Sequence, residues 1–125
     1  MLSSLITIII PCENSLPGIK STIENLLDQT KIRGTRVIVL DKGSKDGSIQ
    51  YSIQAGYDLS KRLTIETFNV TDNKDFYKVV NTPYVLWISP GLIFKSRDYI
   101  FDAINLLSKK GDFCIRPHWH KNFFK

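Results

Sequence analysis

Three short runs in this chain are apolar without a break: Leu5–Ile10 (LITIII), Val37–Leu40 (VIVL) and Tyr84–Ile88 (YVLWI). A run of this length with no polar alternation has the pattern of a strand covered on both faces, and such strands belong to parallel sheets. Each run ends at a residue that turns the chain: Pro11, Asp41 and Ser89-Pro90-Gly91. Between the runs the apolar spacing becomes helical. Leu16, Ile19, Ile23, Leu26 and Leu27 form one stripe, and Pro17 is tolerable because it lies in the first turn. Gly34 marks the connection to the second strand, Arg36–Leu40. Another helix is expected from about Ser48, capped by Asp46 or Ser44, with Ile49, Ile53 and Tyr57 facing in. Arg97–Lys109 is the clearest late helix, with Ile100, Phe101, Ile104 and Leu107 on its stripe and Gly111 as its stop.

Leu63–Phe68 (LTIETF) alternates like a strand with one wet face, nearer the sheet edge. A short helix over 74–81 would bury Phe76, Val79 and Val80. Phe113–Arg116 reads as a last short strand, and Trp87 as core. Strands alternating with helices imply an α/β fold, a mostly parallel Rossmann-like sheet with helices on both faces.

At 125 residues the chain is expected to form a single domain, residues 1–125, with a real core. No apolar run reaches the roughly 20 residues that a membrane-spanning helix needs. The first run has no basic residues before it and is stopped by Pro11, so it reads as a strand and not a signal peptide. Cys12 and Cys114 follow no metal-ligand or redox spacing, which points to reduced thiols and a cytoplasmic location. The net charge of +5 favours anionic partners. The lysines, however, are scattered and form no dense block.

The loop after the second run, Asp41-Lys-Gly-Ser-Lys-Asp-Gly-Ser48, is the centre of the functional reading. A buried strand that runs into a Gly/Ser/Asp turn and then a helix is where open α/β sheets bind ligands. Two common phosphate-binding patterns are missing. Pro11-Cys-Glu-Asn-Ser-Leu-Pro-Gly18 carries one glycine, too late for Gly-x-Gly-x-x-Gly, and there is no Walker A loop. A phospho-acceptor receiver domain would need clustered acids after the first strand, where Glu13 stands alone.

This loop resembles the Asp-Asp-Gly-Ser-x-Asp-Gly-Ser element of family 2 glycosyltransferases, and the likeness extends along most of the chain. Ile6–Ile10, Pro11 and Asn14 resemble the family's opening strand and Pro-x-Tyr-Asn. Ile23–Thr30 (IENLLDQT) is similar to its Ser-Leu-Leu-Asn-Gln-Thr helix ending. Thr82–Gly91 has the shape of the strand that carries the Asp-x-Asp metal site, and Arg97–Ile104 that of the following helix. The resemblance implies the GT-A fold and a nucleoside diphosphate sugar as ligand. It carries a nucleotide-binding set onto Pro11, Asn14, Asp41, Lys42, Gly43, Ser44 and Ser89. No catalytic residue can be assigned from it.

The departures from the family bear on activity. Lys42 stands where the family's second Asp accepts a hydrogen bond from uracil, and an ammonium has donors only. Ser89-Pro90-Gly91 stands where the family holds Mg²⁺ or Mn²⁺, and hard cations want carboxylate oxygens. No metal or other cofactor is therefore expected. Lys42, Lys45 and Arg97 are the cations that could meet a diphosphate instead. The chain ends 34 residues after Gly91, which leaves little for the family's acceptor-binding half. Within that stretch His118 and His120 flank Trp119 without a third ligand, and the aromatic tail from Trp119 to Phe124 has no assignment.

The remaining motif residues also have structural readings. Asp41 can satisfy loop amides, Gly43 and Gly47 can supply left-handed turns, and Asn14 and Asp46 can cap helices. The sequence leaves three functions open. The chain is a glycosyltransferase-like nucleotide-sugar domain without metal-dependent activity of its own; or a non-catalytic scaffold, its partner an active glycosyltransferase or another protein; or a basic binder of nucleic acid or an anionic surface. Because the lysines are dispersed, nucleic acid ranks below a nucleotide sugar or a protein partner.

Overall fold

The computed structural model describes residues 2–70, 80–110 and 119–121. A short 3₁₀ turn, Leu2–Ser4, leads into β1 (Ile6–Cys12), α1 (Leu16–Leu26), β2 (Arg36–Asp41), α2 (Ser48–Asp58) and β3 (Thr64–Asn69). Then come β4 (Tyr84–Trp87), α3 (Tyr99–Lys110) and β5 (Trp119–Lys121). The helix expected at 74–81 falls largely outside the described residues, as do Gly111 and the strand expected at Phe113–Arg116.

The sheet order is β3-β2-β1-β4-β5. β1 pairs in parallel with β2 and β4, and β2 with β3. β5 runs antiparallel along β4, with Trp119 opposite Leu86. The two central strands, β1 and β2, are buried almost throughout, as their unbroken apolar sequences require. β3 lies at one edge of the sheet, and its partial exposure accounts for its alternating sequence.

Alternation of side chains divides the core. Ile6, Ile8 and Ile10 of β1 join Val37 and Val39 of β2 in a large cluster to which α1, α2 and α3 all contribute, through Ile19 and Ile23, Ala55, and Ile100 and Ile104. Ile9, Ile38, Leu40 and Val85 form a smaller cluster on the other face, with Val80 against them and Trp87 packed on it partly buried. Trp119, which the sequence does not place, is buried in β5, and its indole N–H donates to the Tyr99 hydroxyl at 3.2 Å.

One expectation is overturned. Ile53 and Tyr57 of α2 do not face in; they are 49% and 74% exposed. The buried face of α2 consists of Ser48, Ser52 and Ala55. The reason is a close approach: a Cβ on Gly56 would lie 2.8 Å from the Ile65 carbonyl oxygen of β3. At that separation only small side chains fit beneath the helix. Phe101, expected on the α3 stripe, is half-buried.

Candidate functional site

The strand order reverses between β1 and β4, so the crevice of this sheet lies at the carboxyl ends of those two strands. Cys12 is aligned with Asp41 and Ile9 with Trp87, which brings the β1–α1 loop, the β2–α2 loop and Ser89-Pro90-Gly91 to the same end of the sheet. The residues singled out from sequence thus converge there, with Pro11 half-buried and Lys42, Gly43 and Ser89 exposed.

Asp41 is fully buried, and its carboxylate is occupied by its own loop. Oδ2 accepts the Gly43 and Ser44 N–H groups at 2.9 and 2.8 Å, and Oδ1 accepts the Ser44 hydroxyl at 2.5 Å. Gly43 and Gly47 take the left-handed backbone expected of them, at φ 85° and 97°. Asn14 does not cap α1. Its carbonyl oxygen accepts the Lys45 N–H at 2.7 Å, and its own N–H donates to the Ser44 hydroxyl at 2.9 Å.

Asp46 caps across the crevice. Oδ2 accepts the Leu16 N–H, at the start of α1, at 2.9 Å, while Oδ1 accepts the Ser48 N–H at 3.0 Å. The position preceding α2 itself is Gly47, and Ser44 does not cap that helix. The Asp46 carboxyl is held below its ordinary pKa, chiefly by the Ser48 hydroxyl and then by the Leu16 amide. The Ser48 hydroxyl also accepts the Ser15 N–H at 3.1 Å. Sequence reasoning missed Ser15 and Ser48, because their partnership joins loops 33 positions apart. Burial raises the pKa of the free Cys12 thiol, so little nucleophilic thiolate forms at neutral pH.

The chemical consequence is specific. Seven backbone N–H groups of the two loops, those of Asn14, Ser15, Leu16, Gly43, Ser44, Lys45 and Ser48, are taken by side chains of these same loops. An anion that used the helix N-termini as a cradle would have to displace those bonds. Among the described residues of the two loops, the cations placed to meet it are the exposed Lys42 and Lys45. Arg97 does not join them. Its guanidinium Nε donates to the Asp28 carbonyl at 3.3 Å, beyond the far end of α1.

The third wall is rigidly held. The Gly91 N–H donates to the Thr22 hydroxyl at 2.8 Å, and that hydroxyl donates to the Leu92 carbonyl at 3.1 Å. Asn25 bonds both backbone groups of Phe94, at 2.8 and 3.3 Å, and Gln29 bonds the Ser96 carbonyl and the Ile100 N–H. Thr22, Asn25 and Gln29 therefore form a polar ladder along α1 and its continuation that straps residues 89–100 down. At the crevice end the strap offers Ser89, Pro90 and Gly91, with no carboxylate. Among the described residues no three His, Cys, Asp or Glu side chains gather where they could hold a metal ion. Asp72 and Asp75, which follow β3, lie outside the described residues.

Residues 7–66 match the family model for glycosyl transferase family 2. No curated protein sequence matches the chain at a significant level. Among solved structures, the chain resembles a mannosyltransferase from Pyrobaculum calidifontis in complex with GDP-Man and Mn²⁺. The TM-score is 0.70 at 22% identity, over 82% of this chain and 32% of that one. It also resembles S. aureus TarS 1–349, with a TM-score of 0.67 at 18% identity, over 84% of this chain and 32% of that one. The same protein in complex with UDP-GlcNAc gives 0.69 at 18% identity, covering 84% and 31%. The chain thus spans about a third of the length of each structure. At these identities the likeness is one of fold, a GT-A, Rossmann-like α/β sheet. Among the described residues no helix is long and apolar enough to cross a membrane.

Proposed function

From a chain that matches glycosyl transferase family 2 over residues 7–66 and has the GT-A fold, we propose a domain of the nucleotide-sugar-binding type without metal-dependent transfer of its own. The observation that carries this reading is the crevice at the β1–β4 switch. It has the position that such sheets use for ligands, but its wall at Ser89-Pro90-Gly91 has no side chain suited to a hard divalent cation. Among the described residues the neighbouring carboxylates do not compensate, because Asp41 and Asp46 are bonded to loop amides and Glu13, exposed in the β1–α1 loop, joins no group of three possible ligands. Among the described residues, those at the mouth do not fit Mg²⁺ or Mn²⁺.

The proposed ligand-facing set is Pro11, Asn14, Asp41, Lys42, Gly43, Ser44 and Ser89. Within it, Asp41, Ser44 and Asn14 shape the loop, while Lys42, Gly43 and Ser89 are open to a ligand. A Cβ on Gly43 would meet nothing within 4 Å. In this reading residues 1–125 form one domain in a reducing, cytoplasmic setting.

A second reading is a scaffold that docks a protein partner, for instance an active glycosyltransferase. It is favoured by Ile53 and Tyr57, which are exposed beside the β3 edge and line a hollow with Ile65 and Thr67. Calorimetric titration with UDP, GDP, UDP-GlcNAc and GDP-Man, with and without Mn²⁺, tests the first reading. The expected result is weak binding that Mn²⁺ does not strengthen. Micromolar binding that appears only with Mn²⁺ would overturn it.

A further inference from the structure

The opposite end of the sheet holds a feature that the crevice does not use. The loop before β2 and the loop before β3 lie side by side there. The Gly34 N–H donates to the Arg62 carbonyl at 2.9 Å, and the Arg62 guanidinium donates to the Leu27 carbonyl at 3.1 Å. Two short basic pairs, Lys31/Arg33 and Lys61/Arg62, far apart in sequence, are brought around one hollow of about 440 Å³. A second hollow of about 430 Å³, reaching Leu2 and Ser3, shares Lys31 and Arg33 as its wall.

Four of the seven described residues lining the first hollow are cationic, and none is acidic. Its floor is apolar, from Leu27 and the buried Ile32. Arg36, nearby in β2, does not add to the charge, because Glu66 pairs with it across the β2–β3 ladder. Lys31, Arg33 and Lys61 have no ion-pair partner among the described residues. Like charges gathered without a counter-charge repel one another, and a compact polyanion relieves that repulsion.

We propose that this basal hollow is a binding pocket for clustered phosphate groups, distinct from the crevice at the strands' carboxyl ends. Its size is that of a small-molecule site. The Arg62 guanidinium, already oriented by Leu27, suits a phosphate's paired oxygens, and the lysines supply point charge. A concave basic pocket fits a compact anion such as a di- or triphosphate, or the phosphorylated headgroup of a lipid. The chemistry is the same for both sources.

The test uses the full chain and inorganic tripolyphosphate, titrated at low and at high salt. Binding is expected, weakening steeply as salt rises. Arg33→Ala/Lys61→Ala, two exposed positions, should weaken it by about tenfold or more. The control pair Lys20→Ala/Lys95→Ala, two exposed cations outside both the hollow and the crevice set, should leave it unchanged. Co-sedimentation with phosphatidic acid vesicles separates the sources. Pelleting that the basal double variant abolishes assigns the pocket to a lipid headgroup; tripolyphosphate binding without pelleting assigns it to a soluble ligand. No tripolyphosphate binding, or an equal loss in both double variants, would overturn the proposal.

Discussion

The backbone N–H of Gly91 donates to the carbonyl oxygen of Gly18 at 3.0 Å, and this contact joins the loop after β4 to the first turns of α1. A Cβ on Gly18 would stand 3.0 Å from both the Gly91 nitrogen and the Pro90 carbonyl carbon. Glycine in a helix interior normally costs about 1 kcal/mol relative to alanine, so Gly18→Ala would ordinarily stabilise. Here the loop cannot step back, because Thr22 grips Gly91 and Leu92. Overpacking a held contact costs about 1–3 kcal/mol. Gly18→Ala is therefore expected to lower stability by about 1 kcal/mol, read from the urea midpoint. A stabilised variant would mean that the strap yields.

Asp41 separates loop architecture from ligand contact. Removing its carboxylate leaves the Gly43 and Ser44 amides and the Ser44 hydroxyl without their acceptor in a buried place. Hydrogen bonds to a charged group are worth about 1.5–3 kcal/mol, so Asp41→Ala should destabilise by at least about 2 kcal/mol in denaturant unfolding. Asp41→Asn should lose less, about 1 kcal/mol, because its oxygen keeps both amides and its NH₂ can donate to the rotated Ser44 hydroxyl. If the two variants unfold alike, negative charge itself holds the loop.

The strands were legible because burial on two faces leaves an unbroken apolar signature. Leu5–Ile10, Arg36–Leu40, Leu63–Phe68 and Tyr84–Ile88 each fall within two residues of an observed strand. The stripes of α1 and α3 were legible for the same reason. The inward face of α2 was not. Gly56 brings that helix against the Ile65 backbone, and the small residues that fit there carry little hydrophobic signal. β5 was hidden by its length, three residues being too few to show a period. At the site, the roles of Asp41, Gly43 and Gly47 are local and could be read from the loop. Those of Asn14 and Asp46 could not, since their partners lie 31 and 30 positions away.

Asp46 gives the crevice an acid dependence. Its pKa in the folded chain is lowered, first by the Ser48 hydroxyl and next by the Leu16 amide. A carboxyl depressed on folding contributes stability above its unfolded pKa of about 3.9, and that contribution is lost as pH falls through the folded value. Wild type should be more stable than Asp46→Asn at pH ~6, and the gap should close below pH ~4. Thermal melts of both proteins across that range make the comparison. A gap that stays constant with pH would show that the ionised carboxylate is not what the two helix starts depend on.

Lys42 offers the most direct probe of the ligand reading. It is exposed, and its backbone N–H donates to the Cys12 carbonyl at 3.0 Å, a bond that any side chain except proline preserves. Lys42→Asp should therefore fold as well as wild type. It replaces a group that can only donate with one that can only accept, at the position where the family resemblance expects an acceptor for uracil. A recovered hydrogen bond to a charged group is worth about 1.5–3 kcal/mol, which corresponds to one to two decades in affinity, about 10- to 100-fold. The gain should be specific for UDP over GDP and independent of Mn²⁺, because the loop at Ser89-Pro90-Gly91 is unchanged. Electrostatics alone predicts the reverse, since exchanging +1 for −1 beside a diphosphate weakens every nucleotide alike. Stronger UDP binding against that charge penalty would place the base at the Asp41 loop, whereas uniformly weaker binding would assign Lys42 to the phosphates.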